Sequence, residues 1–239
     1  MLVVTACSFS PTPASTATPA ATNTPAATNT KVPTPTRTPL PTKTPNLAAT
    51  KQSEEWNAEI QHYFEKGYIG TADGTIKELD DFSEAWAQID WYTIWTLDER
   101  ATDFVYSAHF KWSNASKTPN PYGCGLVFAI QDDGSDYAVF LNQDSILYLR
   151  TKFHRGFYAG KTRGTGKTNI GDATEADIAV IVYNYYSYVL INGEVVGEYT
   201  LPQSDLLEGD LGVSILSGTN KGYGTRCSIT DMRLWTPNQ

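Results

Sequence analysis

The chain has 239 residues, of which 41% are apolar and 18% are charged, and its 18 basic and 26 acidic side chains give a formal net charge of −8. The acidic balance argues against a general nucleic-acid binder, because such a protein needs a basic face. No apolar run in the sequence approaches the roughly 20 residues of a transmembrane helix, and the length beyond the N-terminal tract is enough for one domain with a sizeable core.

The N-terminus combines a cysteine motif with a proline-rich tract. Val4-Thr5-Ala6-Cys7 resembles the lipobox of bacterial lipoproteins, which implies acylation of Cys7 and makes residues 1–7 the end of a signal peptide. Residues 8–50 are rich in Thr-Pro pairs and poor in large apolar side chains, so they predict a disordered, partly polyproline II linker. We therefore expect an extracytoplasmic protein held to the cell membrane by a lipid. The alternative is a disordered tail without an anchor.

Residues 51–75 predict a helix followed by a turn. Within Ser53–Lys66, the large apolar side chains of Trp56, Ile60 and Tyr63 recur at helical spacing, and a glycine follows the last of them. We expect this helix to pack on the domain formed by the remainder of the chain.

From Phe104 onward the sequence consists almost entirely of strand and turn patterns. Phe104, Tyr106 and Phe110 fall on one face of an alternating segment, which is the period of a sheet with one buried face. Asn192-Gly193 predicts a type I′ hairpin, because both positions of that turn need a positive φ. Further strands are predicted at Gly125–Gln131, Tyr137–Asn142, Ser145–Lys152, Ile178–Tyr183, Tyr186–Ile191, Glu194–Tyr199, Leu211–Leu216 and Cys227–Trp235. Short strands with such turns indicate an antiparallel sandwich or barrel.

Two cysteines remain besides Cys7, and each precedes or begins a predicted strand. Cys124 and Cys227 would meet an oxidising compartment if the domain is exported, so we expect them to form a disulfide bond. The alternative is two buried free thiols.

Several segments resemble the concanavalin A-like jelly roll, the fold of laminin G-like modules, legume-type lectins and some glycoside hydrolases. The segments are Asp80–Ser83 with Trp86, Gly125–Phe128, Tyr188–Glu194 and Ile229–Trp235. The resemblance implies an all-β fold of two packed antiparallel sheets, a jelly-roll sandwich over residues 76–239, preceded by one short amphipathic helix and the disordered tail. Members of this superfamily often bind glycans.

The alternation of side chains along the strands selects a candidate ligand-binding face of the sheet. If Leu147 and Leu149 point into the core, then Tyr148, Arg150 and Lys152 project from the opposite face. On the neighbouring strand we expect Leu126, Phe128 and Ile130 in the core. Gln131 then points outward on that same face, where this fold commonly holds sugars. A basic, aromatic-interleaved cluster continues from Arg150 to Lys167 and fits a glycan, including an anionic one. The alternative is a surface hairpin of solvated charges.

Catalytic and metal motifs are weak in this sequence. The carboxylates of Glu78, Asp80 and Glu84 lack the alternating spacing that glycoside hydrolases of this fold use, and Asp98 and Glu99 fall in a predicted loop. Calcium ligation is the alternative to a plain hairpin turn at three aspartates, and the turn is the simpler interpretation of Asp132, Asp133 and Asp136. The three histidines are scattered. We therefore predict no catalytic residue, no metal ligand and no cofactor.

Three functions fit these observations. The first is a non-catalytic binding module for an extracellular glycan or polysaccharide, with Gln131, Tyr148, Arg150 and Lys152 as its ligand-binding residues. The second is a glycoside hydrolase acting on polysaccharide, and the third is a structural or protein-binding domain of the cell envelope.

Overall fold

The computed structural model describes residues 47–117, 120–142, 145–151, 174–205 and 207–238. The chain divides into two compact units, Met1–Thr44 and Pro45–Gln239. The first unit lies outside the described residues, as do Cys7 and the linker up to residue 46, so the lipid anchor and the disordered linker remain predictions.

The second unit begins with a helix, α1 (Leu47–Glu65), which starts earlier than the predicted Ser53. Ile60 and Tyr63 lie about one turn apart and are 6% and 3% exposed, so they form the buried stripe of the helix. The helix ends at Glu65, and Gly67 follows with a φ of 76°, in the left-handed region that closes many helices. The helix predicted from the spacing of the apolar residues is confirmed.

Twelve strands follow α1 in the described part of the chain. In chain order they are β1 (Gly74–Glu78), β2 (Phe82–Trp86), β3 (Trp91–Ala101), β4 (Phe104–Asn114), β5 (Gly123–Ile130), β6 (Asp136–Asn142), β7 (Ser145–Thr151), β8 (Glu175–Tyr183), β9 (Tyr186–Ile191), β10 (Glu194–Thr200), β11 (Gly209–Ser217) and β12 (Thr225–Pro237).

These strands form two antiparallel sheets. A seven-stranded sheet has the order β1-β12-β4-β8-β9-β10, with β2 also paired to β12, and a five-stranded sheet has the order β3-β11-β5-β6-β7. The main core, which includes Phe104 and Tyr106 from the first sheet and Leu126, Phe128 and Val213 from the second, lies between them. The predicted all-β, antiparallel two-sheet sandwich is therefore confirmed.

The long strand β12 pairs with two short strands in succession. Its first half pairs with β2 and its second half with β1. Between the halves the register with β4 shifts, and Asp231 there has a φ of 52°. This bulge bends the strand and separates the two pairing segments, which allows β1 and β2 to follow one another along the same edge.

The seven-stranded sheet is buried on both faces where α1 crosses it. Ile60 and Tyr63 of the helix pack with Val105, Ile181 and Trp235 on the outer face of the sheet, while neighbouring residues of the same strands face the main core. Double burial explains why β8 contains a continuous apolar run instead of an alternating one. It also explains why Val105, on the face predicted to be solvated, is only 3% exposed.

A disulfide bond joins Cys124 of β5 to Cys227 of β12, with a Cα–Cα distance of 5.8 Å. Both residues are completely buried in the main core. Because β5 and β12 belong to different sheets, the bond ties the two layers together. The predicted pairing is confirmed.

The first three strands were not predicted. Residues around Asp80 and Trp86 were not assigned to strands, but β1 and β2 pair with β12. Asp98 and Glu99 were predicted to lie in a loop, and this was wrong because both belong to β3. None of the described helices combines the length and apolarity that spanning a membrane requires.

Candidate functional site

The turn between β5 and β6 borders two adjoining cavities at one end of the five-stranded sheet. Gln131 accepts a backbone hydrogen bond from Gly134 and donates one to Ser135, both at 2.9 Å, and Gly134 supplies the positive φ of 75° that this tight turn requires. The cavities have volumes of about 370 and 390 Å³, and three residues line both of them: Gln131, Asp136 and Thr151. We call this pair of cavities the β5–β6 groove.

A backbone irregularity near the end of β5 turns the last residues of this strand toward the groove. Ala129 has a φ of 53°, and the register between β5 and β11 shifts between Val127 and Ile130. Leu126 and Phe128 therefore face the main core as predicted, whereas Ile130 turns to the outer face of the sheet, where it packs with Tyr92 and Ile94. The prediction that Ile130 lies in the core was wrong for this reason.

The first cavity of the groove is polar and contains a buried ion pair. Arg150 of β7 donates a hydrogen bond from Nη2 to Oδ1 of Asp205, and the Tyr137 hydroxyl donates to Oδ2 of the same carboxylate. The Arg150 guanidinium also lies 5.7 Å from the centre of the Tyr137 ring. Since the side chain of Asp205 is 4% exposed and that of Arg150 is 27% exposed, the carboxylate holds the guanidinium at the cavity wall.

Gln131 connects the groove to the neighbouring strand. Its Nε2 donates to the carbonyl oxygens of Glu208 at 2.8 Å and Ala129 at 3.2 Å. Both amide hydrogens thus have backbone partners, so the side-chain carbonyl oxygen is the part of Gln131 left for a ligand. A Cβ atom at Gly209 would lie 2.6 Å from this Nε2, so the absence of a side chain at Gly209 makes room for the bridge.

The second cavity of the groove is richer in apolar and aromatic groups. Trp91 and Tyr92 of β3 line it together with Ile94 and Ile130. The Trp91 side chain is 44% exposed, which is unusual for an indole and leaves ring surface open to a ligand. The Tyr92 hydroxyl lies 2.6 Å from Oγ1 of Thr151, so the ring is fixed against the wall shared by both cavities.

Asp136 stands at the junction of the two cavities. The residue is 5% exposed, and its Oδ1 atom is buried without a hydrogen-bond partner in the described part of the chain. Burial raises the pKa of this carboxyl from 3.8 to about 7, although a hydrogen bond from Tyr92 opposes the increase. Burial and the nearby carboxyl of Asp136 raise the pKa of the Tyr92 hydroxyl to about 12.

The raised pKa of Asp136 predicts a pH-dependent stability. A carboxyl whose pKa is higher in the folded state than in the unfolded state binds more protons when folded, so it stabilises the fold at low pH. That contribution is lost as the pH rises from about 4 to about 7, at about 1.4 kcal/mol per pH unit. Urea unfolding at pH 5 and pH 7 should show a decline on the order of 2 kcal/mol larger in the wild type than in Asp136→Asn.

Asp132→Asn is the matched control for this measurement, because Asp132 lines the same cavity but is exposed. This control should keep the decline of the wild type. If Asp136→Asn declines as steeply as the wild type, the carboxyl of Asp136 is not the titrating group.

The structure brings only part of the predicted ligand set together. Gln131 and Arg150 line the same cavity, whereas Tyr148 is 1% exposed and lies in the main core, where its hydroxyl donates to Oγ of Ser187 at 3.1 Å. The predicted parity of β7 was wrong: Tyr148 faces the core, and Leu147 and Leu149 face the opposite side of the sheet. Lys152 and the basic cluster beyond it lie outside the described residues, so their role remains a prediction.

The remaining candidates of the sequence analysis do not form a site. Glu78 and Glu84 are exposed in β1 and β2, and Asp80 is exposed between them. Asp132 and Asp133 occupy the β5–β6 turn, where Oδ1 of Asp133 accepts a hydrogen bond from the Ser135 amide at 2.8 Å. Across the described ranges, no three His, Cys, Asp or Glu side chains are grouped so as to hold a metal ion. This contact, from a backbone amide to a carboxylate two residues earlier, is that of an Asx turn.

The polar half of the groove was partly predicted, while the aromatic half was not. The missed residues are Trp91, Tyr92, Tyr137 and Asp205. The two β3 residues could have been found from the aromatic Trp91–Trp95 segment. No sequence signal separates Asp205 from other loop aspartates, because its partner Arg150 lies far away in the chain.

No protein-family model matches this sequence, and no curated protein sequence matches it. Its fold is similar to that of several solved structures. A carbohydrate-binding module from Bacillus subtilis has 11% identity and a TM-score of 0.47, with 66% of this chain and 94% of that chain covered. A β-glucanase from Bacillus licheniformis has 8% identity and a TM-score of 0.44, with 68% and 92% covered.

Sheep galectin-11 is also similar to this chain, with 7% identity, a TM-score of 0.40, and 62% of this chain and 99% of that chain covered. At such identities and TM-scores the similarity concerns the fold, and it carries no argument about what this chain binds or catalyses.

Proposed function

We propose that the domain is a non-catalytic module that binds a glycan in the β5–β6 groove. The observation that carries the proposal is the placement of a polar cavity beside an aromatic one, with Gln131, Asp136 and Thr151 forming part of both walls. A sugar ring has hydroxyl groups at its edge and an apolar face, so it needs these two surfaces side by side.

The polar wall is organised before a ligand arrives. The ion pair with Asp205 holds Arg150 in place, and the Tyr137 hydroxyl fixes the other oxygen of the same carboxylate. Because these side chains are already ordered, a ligand loses less conformational entropy of the protein on binding. The exposed Trp91 ring supplies a surface for stacking on the apolar face of a sugar.

A glycoside hydrolase acting in the same groove is the second candidate, and one observation favours it. Asp136 has a pKa raised to about 7, as a general acid requires. Hydrolysis also needs a second carboxylate, and the buried Asp205 is already paired with Arg150. The remaining described carboxylates of the groove, Asp132 and Asp133, are exposed in the turn.

Substitution of Trp91 tests the binding proposal. In a glycan array probed with the full chain, the wild type should bind at least one polysaccharide, and Trp91→Ala should bind it about tenfold more weakly because stacking on the ring is lost. Tyr186→Ala is the matched control, since Tyr186 is 48% exposed but lies in β9 of the other sheet.

The control should bind like the wild type. Absence of glycan binding by the wild type would contradict the proposal, and equal losses in both variants would place the binding surface elsewhere. Release of reducing ends from a bound polymer would favour the hydrolase, provided that Asp136→Asn abolishes it.

We also propose that the module works outside the cell membrane, attached through a lipid on Cys7. The disulfide bond between Cys124 and Cys227 supports an extracytoplasmic location, because such bonds persist in oxidising compartments. Mass spectrometry of native material, with detection of an acylated Cys7, tests the anchor.

A further inference from the structure

The groove carries a feature that glycan binding alone does not require. Oδ1 of Asp136 is buried with no hydrogen-bond partner within the described residues, in a side chain that lines both cavities. A buried polar atom without a partner destabilises the protein, and more so when it is charged. Such an atom beside an open cavity is placed to accept a hydrogen bond from a ligand.

The charges around Asp136 define what kind of donor fits. The described lining of the first cavity contains four carboxylates and one cation, Arg150, which is already paired with Asp205. The four carboxylates belong to Asp132, Asp133, Asp136 and Asp205. On its other side Asp136 faces Tyr92 and Thr151, which are uncharged. The described lining therefore carries a net negative charge, which favours a cation over a second anion.

We propose that the ligand is a glycan with a free amino group, and that its ammonium donates a hydrogen bond to Oδ1 of Asp136. This inference rests on the proposed function, since it identifies the class of glycan that the groove takes. An ammonium supplies both the hydrogen bond that Oδ1 lacks and the positive charge that the described lining favours, whereas a hydroxyl supplies only the first. The described lining thus selects a charge opposite to the one that the basic cluster after Arg150 predicted.

Ammonium binding also predicts a proton exchange. At pH 6 the carboxyl of Asp136 in the free protein is mostly protonated, because its pKa is raised to about 7. An adjacent ammonium favours the ionised carboxylate, so binding should release the proton to the buffer. A purely structural role of Asp136 would not produce this release.

The test compares two hexasaccharides that differ only in acetylation. Calorimetric titration of the full chain at pH 7 and low salt should show about tenfold tighter binding of the glucosamine hexamer than of the N-acetylglucosamine hexamer. Asp136→Asn should reduce that preference to about threefold or less. Asp132→Asn, which removes the same charge from the same cavity, should keep most of it. Circular dichroism establishes that each variant is folded.

A second measurement needs no variant. Titration at pH 6 in two buffers with different ionisation enthalpies should show a net release of protons on binding of the glucosamine hexamer and none on binding of the acetylated hexamer.

The outcomes separate the two proposals. Equal affinity of the wild type for both hexamers, an undiminished preference in Asp136→Asn, or the absence of proton release would overturn the amine inference while leaving glycan binding intact. Failure of the wild type to bind any glycan on the array would overturn both.

Discussion

Removal of the disulfide bond between Cys124 and Cys227 is expected to lower the free energy of unfolding by about 2–5 kcal/mol. The two residues are 103 positions apart in the chain, so the bond closes a long loop in the unfolded state. Closing a loop of that size restricts the unfolded chain, and the chain-entropy model assigns about 4.7 kcal/mol to a loop of about 100 residues.

The position of the bond adds to this expectation. Cys124 and Cys227 are completely buried and join β5 of the five-stranded sheet to β12 of the seven-stranded sheet. Strand β12 is also the common partner of β1, β2 and β4. Loss of the bond therefore acts at the centre of the sandwich, where the two sheets are packed.

Urea unfolding of a variant with both cysteines replaced by alanine measures this effect. The m-value should rise along with the loss of stability, because an unfolded chain without the cross-link exposes more surface. Reduction of the wild type is an independent comparison that leaves no cavity. A loss below about 1 kcal/mol in both experiments would show that the bond contributes little.

The second large effect is expected from the ion pair of the groove. Arg150→Met keeps most of the apolar stem but removes the charge opposite Asp205, whose side chain is 4% exposed. The carboxylate would keep its hydrogen bond from Tyr137 and lose the charge-assisted hydrogen bond from Arg150. Breaking a buried pair costs about 3–5 kcal/mol, and because Arg150 is 27% exposed we expect about 2–3 kcal/mol.

A double-mutant cycle isolates this interaction. Asp205→Asn combined with Arg150→Met should be less destabilised than the sum of the single variants, because both substitutions remove the same interaction. The matched control is Arg100→Met, which breaks an exposed ion pair with Asp210 and should cost no more than about 1 kcal/mol. Additive effects of the two groove substitutions in the urea midpoints would contradict the coupling.

Much of the sandwich could be predicted because its strands carry local signals. The alternation from Phe104 to Trp112 and the Asn192-Gly193 turn determine their elements within a few residues. Strands β1 and β2 were missed because they lie at the edge of their sheet and are only five residues long, so they offer too few positions to establish a period. Strand β3 was missed although it is longer, because its aromatic and polar residues do not alternate cleanly.

Which side chains of β7 face the main core could not be predicted from the sequence, for a different reason. Ile146 and Tyr148 face the main core, and Leu147 and Leu149 pack on the other side, so both faces of the strand contain large apolar or aromatic side chains. A strand buried on both faces gives no local indication of direction. Gln131 and Arg150 nevertheless line one cavity, at the end of the sheet and not on the outer face where they were predicted to lie with Tyr148.

The position of α1 has a practical consequence for handling the protein. The helix lies on the outer face of the seven-stranded sheet, and the aromatic cavity lies against the five-stranded sheet. Residues 1–46 join the domain through that helix. Biosensor immobilisation through the N-terminal residues therefore attaches the domain by the layer that does not form the aromatic cavity, and it is the preferable geometry for measuring soluble oligosaccharides.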